Sequence, residues 1–337
     1  MRNTLSNFKR QGIILMYHRV AELEFDPWEI SVSPVHFEEH MRVLEKFGSP
    51  VKVSDLEVTF GRFPFMKKKI AVTFDDGYAD NYHNAKPVLE RYGIPATFFI
   101  MTGAIDSREE FWWDEIGRAV LAAEFVPAIF DFMIAGKRYH WEIKPRDKSK
   151  TADPARALTK VPSNGTVLSR MQLYYVLWEI ISHLSVMDKK IVIKEIVGWA
   201  GIPSGFRTDH LPMTSLELKS LARSGTFEIG AHTVNHPHLS RFSPDTQEEE
   251  IGRSKHDLER LTGNEVTSFA YPHGDYTVDT VHILKRLKFQ KACTVNEQPV
   301  MCGVDPLLLP RFMVRDWDGD QFERHLDKWM RKAGAGN

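Results

Sequence analysis

A chain of 337 residues with a formal net charge of -1 and a pI near 6.9 has room for one large barrel with an insertion or for two domains, and its balance of charge argues against a nucleic-acid or acidic-membrane partner held by bulk electrostatics. Its two cysteines, Cys293 and Cys302, are too few for a disulfide framework and read as free thiols in a reducing compartment. The apolar run Ile13-Ile14-Leu15-Met16 is too short for a signal peptide, and no stretch approaches the roughly 20 residues of a transmembrane span, so the expectation is a soluble cytoplasmic protein.

In chain order, runs rich in β-branched and aliphatic residues alternate with amphipathic stretches of helical length, the pattern of β/α units around a mostly parallel sheet. A strand over 13–17 is followed by a helix over 34–47, bracketed by Ser33-Pro34 and Gly48. Lys67-Lys68-Lys69 reads as the solvated entry to a strand over 70–74, and a helix over 80–92 leads to a strand over 96–101. After a long excursion come a helix over 215–223, with a capping box at Thr214 and Glu217, and a strand over 226–231. A helix over 244–262, between Ser243-Pro244 and Gly263, precedes a strand over 266–271; a helix over 277–287 then leads to strands over 290–295 and 309–314. Seven strands predict a closed or nearly closed barrel.

The excursion, residues 105–210, breaks the rhythm with helical patterns over 168–186 and 188–200, a hairpin around Ala135-Gly136-Lys137 and a polar stretch from Lys144 to Asn164. It reads as one large, mainly helical insertion after strand 96–101, placed to serve as a lid or substrate platform. Trp112 and Trp113 open it; Trp113 is read either as a sugar-stacking face or as a core residue, since neighbours on a helix point in different directions.

The chemistry concentrates at the ends of two of these strands. Thr73-Phe74-Asp75-Asp76-Gly77-Tyr78 sets two carboxylates side by side at the mouth of a buried strand, where they repel each other and resist desolvation unless a cation intervenes or one keeps a proton. His232 and His236 follow the apolar run ending at Ile229, four residues apart, a spacing that brings both rings to one point if the chain turns helically. With Asp76 they make a two-histidine, one-carboxylate set, the catalytic pattern that leaves positions open for water and substrate. A metal held there would acidify water and polarise a carbonyl, leaving Asp75 to act as general base. The competing reading is an aspartate pair capping a helix start beside ordinary surface histidines.

These residues resemble a known family. Thr73-Phe74-Asp75-Asp76-Gly77 and His232-Thr233-Val234-Asn235-His236-Pro237 are similar to the first two motifs of the polysaccharide deacetylases, the NodB-homology carbohydrate esterases, and Phe269-Ala270-Tyr271-Pro272-His273-Gly274 is similar to the third. The resemblance implies a single domain over about 10–330 with the fold of a distorted (β/α)7 barrel, and metal-dependent removal of acetyl groups from sugars. It also implies Asp75 as catalytic base, Asp76, His232 and His236 as ligands, and one divalent ion, zinc first, with cobalt, nickel, manganese or iron as alternatives.

Two positions depart from the family pattern. Many members begin the third motif with an arginine that holds the catalytic aspartate, where this chain has Ala270; Arg311, beside the last strand, is the candidate replacement, its alternative role being a structural ion pair. Many members also carry a late histidine as general acid. Here the strand Ile14-Leu15-Met16-Tyr17 ends in His18, and because first and last strands of a closed barrel are neighbours, a permuted motif puts His18 in that role, as in the exopolysaccharide-modifying branch that this chain resembles. A buried core histidine is the alternative.

The expected reaction is de-N-acetylation of a sugar, a glycan or a lipid- or nucleotide-linked precursor, with the backbone N–H of Tyr78 as an oxyanion donor and Tyr271, Pro272 and His273 lining the groove or packing the turn. Hydrolysis of another C–N bond, in a formyl group or a purine-breakdown amide, and a non-catalytic glycan-binding module are the rival readings.

Overall fold

Every apolar run read as a barrel strand forms one in the computed structural model, which describes residues 10–56, 69–145, 160–203 and 205–332. Lys67, Lys68 and residues 146–159 of the polar stretch lie outside the described residues. The chain divides into two compact units, Met1–Glu22 with Ile30–Ser107 and Pro212–Asn337, and Leu23–Glu29 with Arg108–Leu211.

The first unit is built on strands β1 (Arg10–Tyr17), β2 (Lys69–Phe74), β3 (Ala96–Ile100), β4 (Phe227–Ala231), β5 (Ser268–Ala270), β6 (Lys291–Cys293) and β7 (Phe312–Met313). The parallel order runs β6-β5-β4-β3-β2-β1, and β7 pairs with the far side of β1 through Leu15↔Phe312. A single parallel bridge, Cys293↔Leu309, ties the segment leading into β7 back to β6, which completes a seven-stranded ring. The ring is distorted because that closure is thin, and because Val300–Met301 pairs antiparallel with the start of β1.

Side chains of a strand alternate between faces, and that parity organises the unit. Leu15, Tyr17, Val72, Phe74, Phe98 and Ile100 share a cluster with the helix residues Phe37, Met41, Leu218, Ile251 and Leu284. Ile14, Ala71, Phe99, Ala270, Cys293 and Leu309, of the opposite parity, form a separate and smaller cluster inside the ring. Continued past the strand ends, the inward parity reaches His18 from β1, Asp75 from β2 and His232 from β4.

The helices start where the sequence places them. Ser33 accepts the His36 N–H ahead of Pro34–Phe47, and Thr214 and Glu217 form a reciprocal capping box ahead of Ser215–Arg223. Pro244–Thr262 ends at Gly263 with φ +75°, a left-handed cap that glycine adopts without strain. The helix expected over 80–92 begins as a π-helical turn, Asn81–Ala85, before Lys86–Arg91.

The second unit has a core of its own, in which Phe130, Trp141, Leu173, Leu177, Ile181, Val192 and Ile196 are buried together. Its hairpin, Ile129–Ile134 with Lys137–Ile143, turns at Ala135-Gly136, and its helices are Arg170–Ser182 and Val186–Trp199. No helix among the described residues is long and apolar enough to cross a membrane.

Candidate active site

The loops leaving the carboxyl ends of β1, β2 and β4, with the residue preceding β7, bring six of the expected residues together. Asp75 receives its N–H bond partner from the end of β1, donating to the Tyr17 carbonyl at 3.1 Å, and its carboxylate meets Arg311 in a two-point pair. Arg311 Nη1 donates to Oδ1 at 2.7 Å and Nη2 to Oδ2 at 2.8 Å, while Nε donates to the Thr294 carbonyl at 2.9 Å. Nη1 also reaches Thr73 Oγ1 at 3.2 Å. Arg311 is fully buried, with its guanidinium 5.7 Å from the centre of the Phe99 ring inside the barrel. Burial alone would raise the pKa of Asp75, but the guanidinium outweighs it and holds the carboxyl below its usual value. The structure thus brings an arginine to the aspartate from β7, across β1, while Ala270 leaves only a methyl group in the interior.

Asp76 turns the other way because its backbone is left-handed, with φ +72°, and Gly77 follows at φ +90°. A carboxyl residue in that region is strained, and such strain gathers at functional sites. Of the eight non-glycine residues with positive φ among the described residues, four, Asp76, Thr233, His236 and His273, belong to this site or its rim. The helical turn expected between His232 and His236 is absent. Two left-handed residues, Thr233 and His236, shape the loop instead, and Thr233 Oγ1 accepts the His236 N–H at 3.0 Å.

Donor atoms of Asp76, His232 and His236, all three buried, lie within 4.8 Å of one another. Asp76 Oδ1 is 3.5 Å from His232 Nε2 and 3.4 Å from His236 Nε2. Those separations are long for hydrogen bonds. They match the edge of a tetrahedron whose centre is about 2.1 Å from each corner, roughly 3.4 Å. His232 Nδ1 lies 2.8 Å from the Ala270 carbonyl, so this nitrogen carries the proton and Nε2 offers its lone pair to the shared point. Donor chemistry, tautomer and spacing all fit a divalent metal ion.

His18 sits among these charges. Burial lowers the pKa of its imidazole, against the opposing pull of Asp76 and Asp75, and Arg311 and His232 are close enough to push it further down. Its Nδ1 is buried with no hydrogen-bond partner among the described residues.

Several other expected residues have different surroundings. Tyr271 has the outward parity of β5: its ring is buried against Phe269 and Tyr276, and its hydroxyl donates to the Leu307 carbonyl at 2.8 Å, so it packs the turn and lines no groove. Pro272 is buried beside it. Tyr78 is buried with the Arg19 guanidinium 4.3 Å above its ring, leaving only its backbone for the role foreseen. Trp113 is a core residue of the second unit, stacked on Phe111 at 5.0 Å, not an exposed sugar platform. His273 keeps a place at the rim, edge-on to His236 at 4.3 Å and stacked on His238 at 4.0 Å.

The sequence reading missed Glu250. Its carboxylate accepts the Val234 and Asn235 N–H groups at 3.0 and 2.9 Å and the Asn235 side-chain amide at 2.6 Å, tying the histidine loop to helix Pro244–Thr262. Nothing distinguishes it in Gln247-Glu248-Glu249-Glu250 except a place on the helix face toward the loop. Gly103 shows the same constraint from the other side, since a Cβ there would come within 2.6 Å of the Val234 carbonyl oxygen.

Known proteins resemble the chain in sequence and in fold. The sequence profile of the family described as polysaccharide deacetylase matches residues 64–124 and 205–292, on either side of most of the excursion. A poly-β-1,6-N-acetyl-D-glucosamine N-deacetylase of Staphylococcus aureus is 26% identical over 164 residues, 44% of this chain and 56% of that protein. The chain spans about a third to just over half the length of the curated relatives it matches. Among solved structures, IcaB from Ammonifex degensii superposes with a TM-score of 0.58 at 18% identity, covering 97% of this chain and 98% of that one. The Streptococcus pyogenes deacetylase PplD, solved with acetate, gives 0.56 at 20% identity over 96% and 98%. At these identities the two structures establish likeness of fold.

Proposed function

We propose, from the match of the polysaccharide deacetylase profile to residues 64–124 and 205–292, that the chain is a deacetylase of that kind and hydrolyses the N-acetyl groups of an N-acetylated glycan of the surface-polysaccharide type, using a divalent metal ion, zinc first, held by Asp76, His232 and His236. The observation that carries the reading is the separation of the two adjacent carboxylates: Asp75 is clamped by Arg311, and Asp76 faces two histidine nitrogens. An ion bound by those three residues would polarise the acetyl carbonyl and acidify a water molecule.

The chain's own residues supply the proton transfers. Asp75, kept ionised by Arg311, takes a proton from the attacking water as oxygen adds to the acetyl carbon. His18, acting in its protonated form, gives a proton to the nitrogen as the C–N bond breaks, so the products are acetate and a free sugar amine. The Tyr78 backbone N–H serves as a further donor to the oxyanion. Thr73 and Thr294 fix the guanidinium, so the base is aimed before substrate arrives.

Acetate release from N-acetylated oligosaccharides, measured with zinc-loaded protein beside Asp75→Asn, tests this reading. Zinc-dependent release that the variant loses is the expected result. No release across oligosaccharides and lipid- or nucleotide-linked sugars, with zinc bound stoichiometrically, would overturn it.

A further inference from the structure

The proposed acid, His18, is the residue between Tyr17, the last paired residue of β1, and the short strand Arg19–Val20, which pairs in parallel with Ser31–Val32. The chain restrains it from outside the sheet. Ahead of it, the Tyr17 carbonyl accepts the Asp75 N–H at 3.1 Å. Its own carbonyl accepts from Asn81 Nδ2 at 2.8 Å, and the same amide nitrogen donates to Asp80 Oδ1 at 2.9 Å. Past it, Asp80 takes the Val20 N–H at 3.0 Å and Arg19 Nε at 2.9 Å. Three consecutive residues, His18 to Val20, are thus tied to the two residues that open the π-helical turn after the Asp75-Asp76 motif.

The energetics of this cluster favour geometry over stability as its reason. Arg19, Asp80 and Asn81 are all buried. A buried ion pair is about as stable as an apolar pair of similar volume, because desolvation consumes what attraction returns. The Asn81 amide is oriented by two acceptors, so its oxygen must face away, and Oδ1 is buried without a hydrogen-bond partner among the described residues. Leaving a buried acceptor unsatisfied is costly. What the cluster secures is the position of the backbone that carries the imidazole.

We propose that Asn81, oriented by Asp80, is a positioning residue that sets His18 for proton delivery to the departing nitrogen. This rests on the reading of His18 as proton donor, and the experiment separates the two. A sugar amine cannot leave as its anion and needs the proton, whereas the phenolate of an aryl acetate leaves without one. Kinetics of Asn81→Ala and His18→Asn are compared on an N-acetylated oligosaccharide and on 4-nitrophenyl acetate, with zinc content and thermal melts recorded for both.

Asn81→Ala is expected to lose roughly tenfold or more in kcat on the amide, the scale of a displaced general acid, while aryl ester turnover stays within about twofold and zinc content is unchanged. If His18→Asn shows this selective loss and Asn81→Ala slows both substrates equally or neither, the positioning role is overturned and His18 keeps its own. Equal effects on both substrates in His18→Asn overturn the proton-donor reading and, with it, the inference. Should Asn81→Ala fail to fold, Asn81→Leu, which keeps the side-chain volume and has no donor for the His18 carbonyl, carries the same comparison.

Discussion

Replacing Arg311 by Met keeps most of the side-chain volume and removes the guanidinium that holds Asp75. Two charge-assisted hydrogen bonds, at 2.7 and 2.8 Å, disappear and leave a carboxylate at 3% exposure inside the barrel. Breaking a buried pair from one side costs about 3–5 kcal/mol. In a folded unit of some two hundred residues that corresponds to a fall in Tm of roughly 6–20 °C. The sign of the pH dependence is the sharper test. In the native protein the Asp75 pKa is depressed, so its contribution is present above the unfolded value, near 3.9, and is lost only as pH falls toward the folded value. Without Arg311, burial becomes the governing influence and moves the pKa upward; the variant is then most destabilised where the carboxyl is charged and regains stability as it protonates. Thermal melts at pH 8 and pH 5 should show the gap between native and variant narrowing at the lower pH, with acetate release lost at both. A pH-independent gap, or unchanged turnover, would refute the argument that Arg311 acts by holding Asp75.

Three further outcomes follow from the same geometry. Chelation should abolish acetate release and zinc should restore it, whereas His232→Ala, which removes a donor nitrogen, should fail to retain stoichiometric zinc by elemental analysis. Glu250→Ala frees three N–H donors of the histidine loop and should weaken zinc binding by roughly ten- to a hundredfold, the scale seen when groups that orient ligands are removed, as read by competition with a chromogenic chelator. In the second unit, burial raises the Glu115 pKa from 4.5 to about 7 against the opposing pull of Arg118. A carboxyl with a raised folded pKa stabilises below its unfolded value and loses that contribution as pH climbs to the folded one, so stability should decline between pH 4.5 and about 7, and Glu115→Gln should flatten the slope.

Most of the barrel was legible because its signals are local. Unbroken apolar runs such as Ile13–Tyr17 and Ile70–Val72, with caps at Ser33, Thr214 and Ser243, place strands and helices from neighbours a few residues away. The side chains that meet at the site carry a second local signal, since adjacent aspartates and a histidine pair at strand ends are hard to explain as packing. Of the two readings of Tyr271, groove lining and turn packing, the structure has the second, for a reason the sequence does contain: Ala270 is the inward residue of β5, so parity sends the next ring outward into the helix layer. Trp113 and the turn between His232 and His236 were not legible, because they depend on contacts with Phe111 and Glu250 that no periodicity reports. Glu250 is one of three consecutive glutamates, and only the loop it faces sets it apart.

The paired aspartates show how one sequence feature is resolved by two kinds of structure. Side by side in extended backbone, their carboxylates would point to opposite faces of the strand, one inward and one into the apolar helix layer, where a charge is prohibitively placed. The left-handed φ of Asp76 and the glycine after it bring the second carboxylate back to the barrel mouth. That return sets two negative charges at one site, and the Arg311 guanidinium compensates only the first. The imidazoles of His232 and His236 offer Asp76 either protons or lone pairs. With Nδ1 of His232 committed to the Ala270 carbonyl, Nε2 faces Asp76 Oδ1 across 3.5 Å, and a lone pair there would meet the carboxylate repulsively without a metal ion or a proton between them. The residual charge at Asp76 thus faces a point that three donors share and that a metal ion would fit, beside a carboxylate that Arg311 already holds.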